Sequence, residues 1–211
     1  MNTPRKSLYL FGALLIAVVA LTFYQMLNVN RPPDQKDLLE AGIVLLPEKH
    51  KLPDITLTRQ DGREISVNSL RDRWTLMFFG YTFCPDICPT TLADLKKINS
   101  QLGEQDRQQL RIIMTTVDPG RDTPEQLKKY LAFFSPDFIG LTGNPASIQA
   151  LAGALGIPFI APEHTDKANY AVEHSGNLAL IGPDGNLRGF IRAPLQVDLL
   201  TAWLPRLLRM R

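Results

Sequence analysis

Two cysteines, Cys84 and Cys88, are the only ones in the chain, and they stand four residues apart in Cys84-Pro85-Asp86-Ile87-Cys88-Pro89. On a helix that spacing puts both side chains on one face, about one turn apart. A thiol near a helix N-terminus ionises more readily, because the unpaired backbone N–H groups favour negative charge. The thiolate serves two chemistries: it is the nucleophile of disulfide exchange and a ligand for soft metals. A single buried cysteine would read as a small core hydrophobe. Two together, isolated from any others and bracketed by prolines where an apolar run gives way to a helical pattern, point to chemistry instead.

The metal reading needs a third donor. The chain offers three histidines, His50, His164 and His174. Structural zinc wants four ligands, whereas monovalent copper is content with two or three soft ones, and thiolates select it. His50 precedes the main domain and His164 lies in a polar stretch, so both read as surface residues. His174 directly precedes an apolar strand, Asn177–Ile181, and is the candidate ligand.

The elements that must position these residues follow from periodicity. Ile55–Thr58 and Glu64–Val67 flank Asp61-Gly62 and predict a hairpin. The apolar run Trp74–Thr82 predicts a buried strand leading into the cysteine turn. Thr90–Leu102 carries Leu92, Leu95, Ile98 and Leu102 on one face and ends at Gly103, an amphipathic helix. Leu110–Val117 predicts a second buried strand. Pro124 opens a helix to Phe134, Phe138–Leu141 reads as a short strand, and Pro145 opens a helix to Leu155. Phe159–Glu173 has no period and reads as a long loop. Asn177–Ile181 and Leu187–Arg192 flank Pro183-Asp184-Gly185, a second hairpin. A last helix starts at Val197, and Pro205 is expected to kink or interrupt it. This order predicts an α/β fold, a mixed sheet with helices on both faces. Cysteines that end the first central strand and open a helix are the thioredoxin arrangement. In that arrangement the start of strand Asn177–Ile181 faces the cysteine turn. Thioredoxins usually place a cis-proline there, and this chain has Glu173-His174-Ser175-Gly176.

The 211 residues carry a formal net charge of +2, with 45% hydrophobic and 21% charged residues. That is ordinary for a globular protein and lacks the basic stripe expected of a nucleic-acid binder. The N-terminus departs from the average. Residues 8–27 contain no charged side chain, enough for a single transmembrane helix at ~1.5 Å per residue across a ~30 Å hydrocarbon core. Arg5 and Lys6 precede it, which favours a cytoplasmic tail over residues 1–7 and the remaining chain outside. The bulky exit Phe23-Tyr24-Gln25-Met26-Leu27 argues for an uncleaved anchor over a signal peptide. Residues 28–50 then read as a linker or arm, with an apolar patch at Ile43–Leu46, and residues 51–211 as one domain. An anchor starting at residue 8 leaves no room for a transit peptide, so the expected location is a bacterial inner membrane with the domain in the periplasm. That compartment is oxidising, and a Cys84–Cys88 disulfide is feasible there.

At these residues the chain resembles the SCO/SenC family of thioredoxin-like copper proteins. The matching pieces are Gly80-Tyr81-Thr82-Phe83-Cys84-Pro85-Asp86-Ile87-Cys88-Pro89, Val117-Asp118-Pro119 with Arg121-Asp122-Thr123-Pro124, His174-Ser175, and Ile181-Gly182-Pro183-Asp184-Gly185. The resemblance covers about residues 51 to 205. One departure is Glu173, where the family commonly has aspartate. The resemblance implies a membrane-anchored copper metallochaperone that binds Cu(I) or Cu(II) through Cys84, Cys88 and His174. It also implies a role in assembling the binuclear copper centre of cytochrome c oxidase. The implied partners are the copper-centre subunit of the oxidase and an upstream copper donor or thiol reductant. Asp86 and Asp118 recur in the family motifs. Here they read as turn chemistry and stay outside the metal shell.

The competing reading is a thiol–disulfide reductase that cycles Cys84 and Cys88 on the oxidase's copper-ligand cysteines and needs no histidine. A peroxiredoxin-like peroxidase would want a threonine three residues before the cysteine, and Thr82 is two before Cys84. A structural disulfide would close only a tiny loop and stabilise little.

Overall fold

The computed structural model describes residues 3–29, 34–161 and 170–210. One eight-stranded mixed sheet organises it. The strands are β1 (Ile43–Lys51), β2 (Thr56–Arg59), β3 (Glu64–Ser66), β4 (Trp74–Gly80), β5 (Leu110–Thr116), β6 (Ile139–Thr142), β7 (Leu178–Ile181) and β8 (Asn186–Ile191). They lie in the order β1-β8-β7-β4-β5-β6-β2-β3. β4, β5 and β6 are parallel. β7 runs antiparallel beside β4, with Met77 opposite Ala179 and Phe78 opposite Leu178.

β4 is central because every residue from Trp74 to Gly80 is buried. A continuous apolar strand without alternation suits a position covered on both faces. Helix α3 (Ile87–Gln101) follows the cysteine turn and buries Cys88, Leu92, Leu95 and Ile98 along one stripe. Helix α5 (Pro124–Ala132) starts at Thr123, whose hydroxyl accepts the Gln126 N–H, with Pro124 in the first turn where a missing N–H costs nothing. It packs on β6. Helix α6 (Pro145–Ala154) starts in the same way at Asn144. The short helix α4 (Glu104–Gln109) leads into β5 and was not legible as a period. The β7–β8 hairpin turns where the sequence predicts, with Gly185 at φ +77°.

Two expectations need correction. Part of the stretch read as an arm belongs to the sheet. A short helix α2 (Gln35–Glu40) leads into β1, whose Ile43 and Val44 pair antiparallel with Ile191 and Phe190. The register shift between Leu45 and His50 obscures any alternation. The last helix, α7 (Val197–Leu208), runs through Pro205. Leu204, Leu207 and Leu208 bury there, α7 packs on α3, and the Trp74 indole donates to the Leu208 carbonyl at 3.2 Å. Tertiary burial outweighs the hydrogen bond that proline cannot make. The expected anchor falls on the N-terminal helix. Residues Thr3–Val29 form helix α1, and its side chains at Phe11, Leu14, Ile16 and Phe23 are exposed. Among the described residues no helix is long and apolar enough to cross a membrane. The side chains of residues 8, 10 and 25–27 of the expected span lie outside those described.

Candidate metal centre

The site begins where β4 stops. Gly80 ends the strand with its backbone against the sulfur of Cys88. A Cβ at Gly80 would stand 2.8 Å from Cys88 Sγ and 2.5 Å from Phe78 Cε1, so only glycine fits. The Tyr81 N–H donates to Cys88 Sγ at 3.4 Å. A tight turn follows, closed by the Cys84 N–H on the Tyr81 carbonyl at 3.2 Å. α3 then begins at Ile87, three residues before the helical pattern predicts, and places Cys88 in its first turn. The Cys88 N–H points at Cys84 Sγ at 3.5 Å. One sulfur therefore lies buried under the turn, while the other, at Cys84, is partly open. Both are free thiols.

His174 arrives on the segment that leads into β7, the antiparallel neighbour of β4. Residues 170–177 carry the chain into β7 with no regular structure beyond the bridge at Glu173, and the pairing of β7 with β4 brings them to the cysteine turn. The His174 Nε2 lies 3.4 Å from Cys88 Sγ. Its other nitrogen, Nδ1, is 3.3 Å from the Ser175 carbonyl, which orients the ring. Phe78 and Tyr81 present ring edges to it, with centroids at 5.9 and 5.5 Å. Burial lowers the His174 pKa and so favours the neutral imidazole, the form that binds metals. Burial also pushes the Cys88 thiol well up, against the pull of the Tyr81 N–H, and the neighbouring Cys84 adds to the rise. A bound cation would reverse that balance, because a coordinating thiol is deprotonated outright.

Donor atoms of Cys84, Cys88 and His174 all lie within 4.8 Å of one another, and no other cysteine, histidine or carboxylate joins them among the described residues. Two sulfurs and one imidazole form a soft, three-donor set. It suits copper and falls one ligand short of a closed zinc site. His50 sits on β1, opposite Leu187 and exposed. His164 lies outside the described residues. Asp86 is exposed at the N-cap of α3 and makes no side-chain capping bond. Glu173 is exposed, and its carbonyl accepts the Ile160 N–H at 3.1 Å.

Several residues around the centre carry more than the sequence shows. Asp122 is fully buried. Its carboxylate accepts the Thr82 N–H at 3.0 Å, the Thr82 hydroxyl at 2.6 Å and the Thr116 hydroxyl at 2.6 Å. It therefore ties the cysteine turn to the end of β5. Thr82 is committed to that role, and Gln126 also donates to its hydroxyl at 3.2 Å. Asp118 does more than turn the chain. It is 3% exposed, pairs with Arg121 and accepts the Tyr170 hydroxyl at 2.6 Å. The signal available beforehand was two carboxylates and an arginine crowded into the β5–α5 loop. Whether that loop is buried is a tertiary matter.

Comparison with known proteins agrees with this geometry. The SCO1/SenC family model matches residues 46–209. A protein of Stutzerimonas stutzeri named for copper binding is 45% identical over 209 residues, 99% of this chain and 97% of its own. The crystal structure of Arabidopsis thaliana ScoI with copper bound superposes with a TM-score of 0.67 at 32% identity, covering 75% of this chain and 99% of that one. BsSco, a member of the Sco family of cytochrome c oxidase assembly proteins in which a disulfide switch is identified, gives a TM-score of 0.61 at 26% identity. That match covers 78% of this chain and 97% of BsSco. With a thioredoxin-like sheet, a two-cysteine turn and a family match across nearly the whole folded domain, the chain belongs to the SCO1/SenC family.

Proposed function

We propose that this protein is a copper metallochaperone that holds copper through Cys84, Cys88 and His174 and delivers it to the binuclear copper centre of cytochrome c oxidase. The observation that carries the reading is the convergence of two sulfurs and one imidazole from segments far apart in sequence. A dithiol reductase needs the two cysteines and no histidine ligand, whereas copper ligation uses all three donors. Copper is the cargo. It reaches the site from the open Cys84 side and leaves by ligand exchange with thiols of the receiving subunit. Two thiolates and Cu(I) leave one net negative charge and Cu(II) leaves none, so the site tolerates either oxidation state. The Cys84–Cys88 pair, when empty, is the dithiol that an oxidising compartment would close and a thiol donor would reopen. The charge-free stretch over residues 8–27, carried on α1 with exposed Phe11, Leu14, Ile16 and Phe23, anchors the domain to the bacterial inner membrane with the copper site in the periplasm.

Copper loading of the reduced, detergent-solubilised full chain tests this reading. Wild type is expected to bind copper stoichiometrically and, as Cu(II), to show sulfur-to-copper charge-transfer bands. In His174→Ala those bands move or vanish. Stoichiometric binding and an identical spectrum in the variant would remove His174 from the site. Absence of binding in wild type would end the chaperone proposal.

A further inference from the structure

Cys84 and Cys88 are placed by regular structure, a strand end and a helix start. His174 is not, since it lies on a segment outside any named element. Three contacts hold that segment down. The Val172 N–H donates to the Tyr81 hydroxyl at 3.3 Å. Glu173 bridges to Ile160. The third contact, at Tyr170, is the most developed. The Tyr170 hydroxyl donates to Asp118 Oδ1 at 2.6 Å, and Arg121 Nη2 donates to the Tyr170 carbonyl at 3.0 Å. The Arg121 guanidinium lies over the Tyr170 ring, 3.6 Å from its centroid, while its Nε pairs with Asp118 Oδ2. Burial and the Asp118 carboxylate both push the Tyr170 hydroxyl pKa up, so it stays a donor.

The same guanidinium also faces the cysteine turn. Its carbon is 5.0 Å from the Phe83 ring centroid and 5.6 Å from that of Tyr81. Tyr81 in turn lies edge-on to His174. Arg121 therefore touches both the segment that brings the histidine and the turn that brings the sulfurs. Neither Arg121 nor Tyr170 belongs to the three-donor cluster. A planar guanidinium can stack on one ring while its edge donates to a carboxylate and a carbonyl. An ammonium cannot do both.

We propose that Arg121 and Tyr170 are positioning residues that clamp the His174 segment against the cysteine turn and so preset the third donor before metal arrives. The proposal rests on the copper-site reading above. The cost of ordering the segment is met in the metal-free fold, so the imidazole adds to affinity without a loop-ordering penalty. Removing the clamp leaves every ligand in place and lowers the affinity that His174 contributes.

The test is a double-mutant cycle on the full chain. Tyr170→Leu and Arg121→Lys are each made alone and together with His174→Ala. Cu(I) affinity is read by competition with a chromophoric chelator. Amide hydrogen exchange over residues 170–174 is read on metal-free protein. Each clamp variant is expected to weaken Cu(I) about tenfold to hundredfold, as loss of an orienting partner does. In the His174→Ala background the same substitutions are expected to change affinity by less than about twofold, since sites coupled only through a shared partner lose that coupling when the partner is removed. Exchange at residues 170–174 rises in the single variants. Equal losses in both backgrounds would make the clamp a general support of the fold and overturn the proposal, as would unchanged affinity in the singles. Tyr170→Phe, which loses only the hydroxyl, keeps the test decisive if Arg121→Lys folds poorly. If His174→Ala alone binds Cu(I) as wild type does, the copper-site reading fails instead of the clamp.

Discussion

The cysteine turn and the histidine segment meet at 3.4 Å, yet they are built by opposite means. The turn is backbone work. β4 ends at a glycine that only a glycine can occupy, two N–H groups point at the sulfurs, and α3 starts between the cysteines. The histidine segment has no ladder of its own apart from one bridge, and side chains of the β5–α5 loop hold it. Damage to the turn should therefore appear as lost stability. Damage to the segment should appear as lost affinity in a protein that still folds.

Asp122→Ala should have the largest effect on stability. It strands one buried donor on β5 and two partly buried donors of the turn, at a cost of about 3 kcal/mol or more of unfolding free energy measured by denaturant titration. Asp122 also ties stability to pH. Burial raises its folded pKa above the usual carboxylate value. The folded state then binds the proton more tightly, so stability falls as pH rises from below about 3.9 through the folded value. Asp122→Asn should remove that slope, and a midpoint series across the acid range reads it directly. An unchanged slope would mean that another group sets it.

Gly80→Ala comes next, at about 1–3 kcal/mol, because its methyl group displaces Phe78 or the Cys88 sulfur. A shifted Cu(II)–thiolate spectrum should accompany the loss. Tyr81→Phe should cost about 1 kcal/mol, since it leaves the buried Val172 N–H without its acceptor. It also tests the boundary between the two regions, because Tyr81 belongs to the turn and its hydroxyl serves the segment. His174→Ala should change the midpoint least, by less than about 1 kcal/mol, because the half-buried ring packs at an open site. Its effect belongs in copper binding. A large stability loss in His174→Ala with intact copper binding would invert the comparison.

Legibility in the sequence followed the same divide. The strand, turn and helix around Cys84 and Cys88 were readable because burial and helix starts leave local patterns at periods 2 and 3.6. α3 nevertheless begins three residues earlier than its apolar stripe suggests, because Ile87 is exposed and Cys88 supplies the first buried position. β1 was missed because its register shifts partway and much of it is exposed. Pro205 predicts a kink or an interruption, and with the leucines beside it buried α7 runs on uninterrupted. His174 was found by its place before β7 and by family resemblance, since nothing local distinguishes it from His50. Asp118 was read as turn chemistry, whereas it anchors an ion pair and a tyrosine at 3% exposure.

By itself the amino-acid sequence determined which segments bury, where two thiols would sit on a helix start, and that the chemistry available is that of soft metals or disulfides. Those properties depend on neighbours within one or two helical turns. Only the tertiary structure decided that His174 reaches Cys88 across 86 residues of chain, that Asp122 ties down the turn and that Arg121 spans both regions. These contacts depend on strand order, with β7 placed antiparallel against β4 and the β5–α5 loop beside both, and no local period encodes strand order.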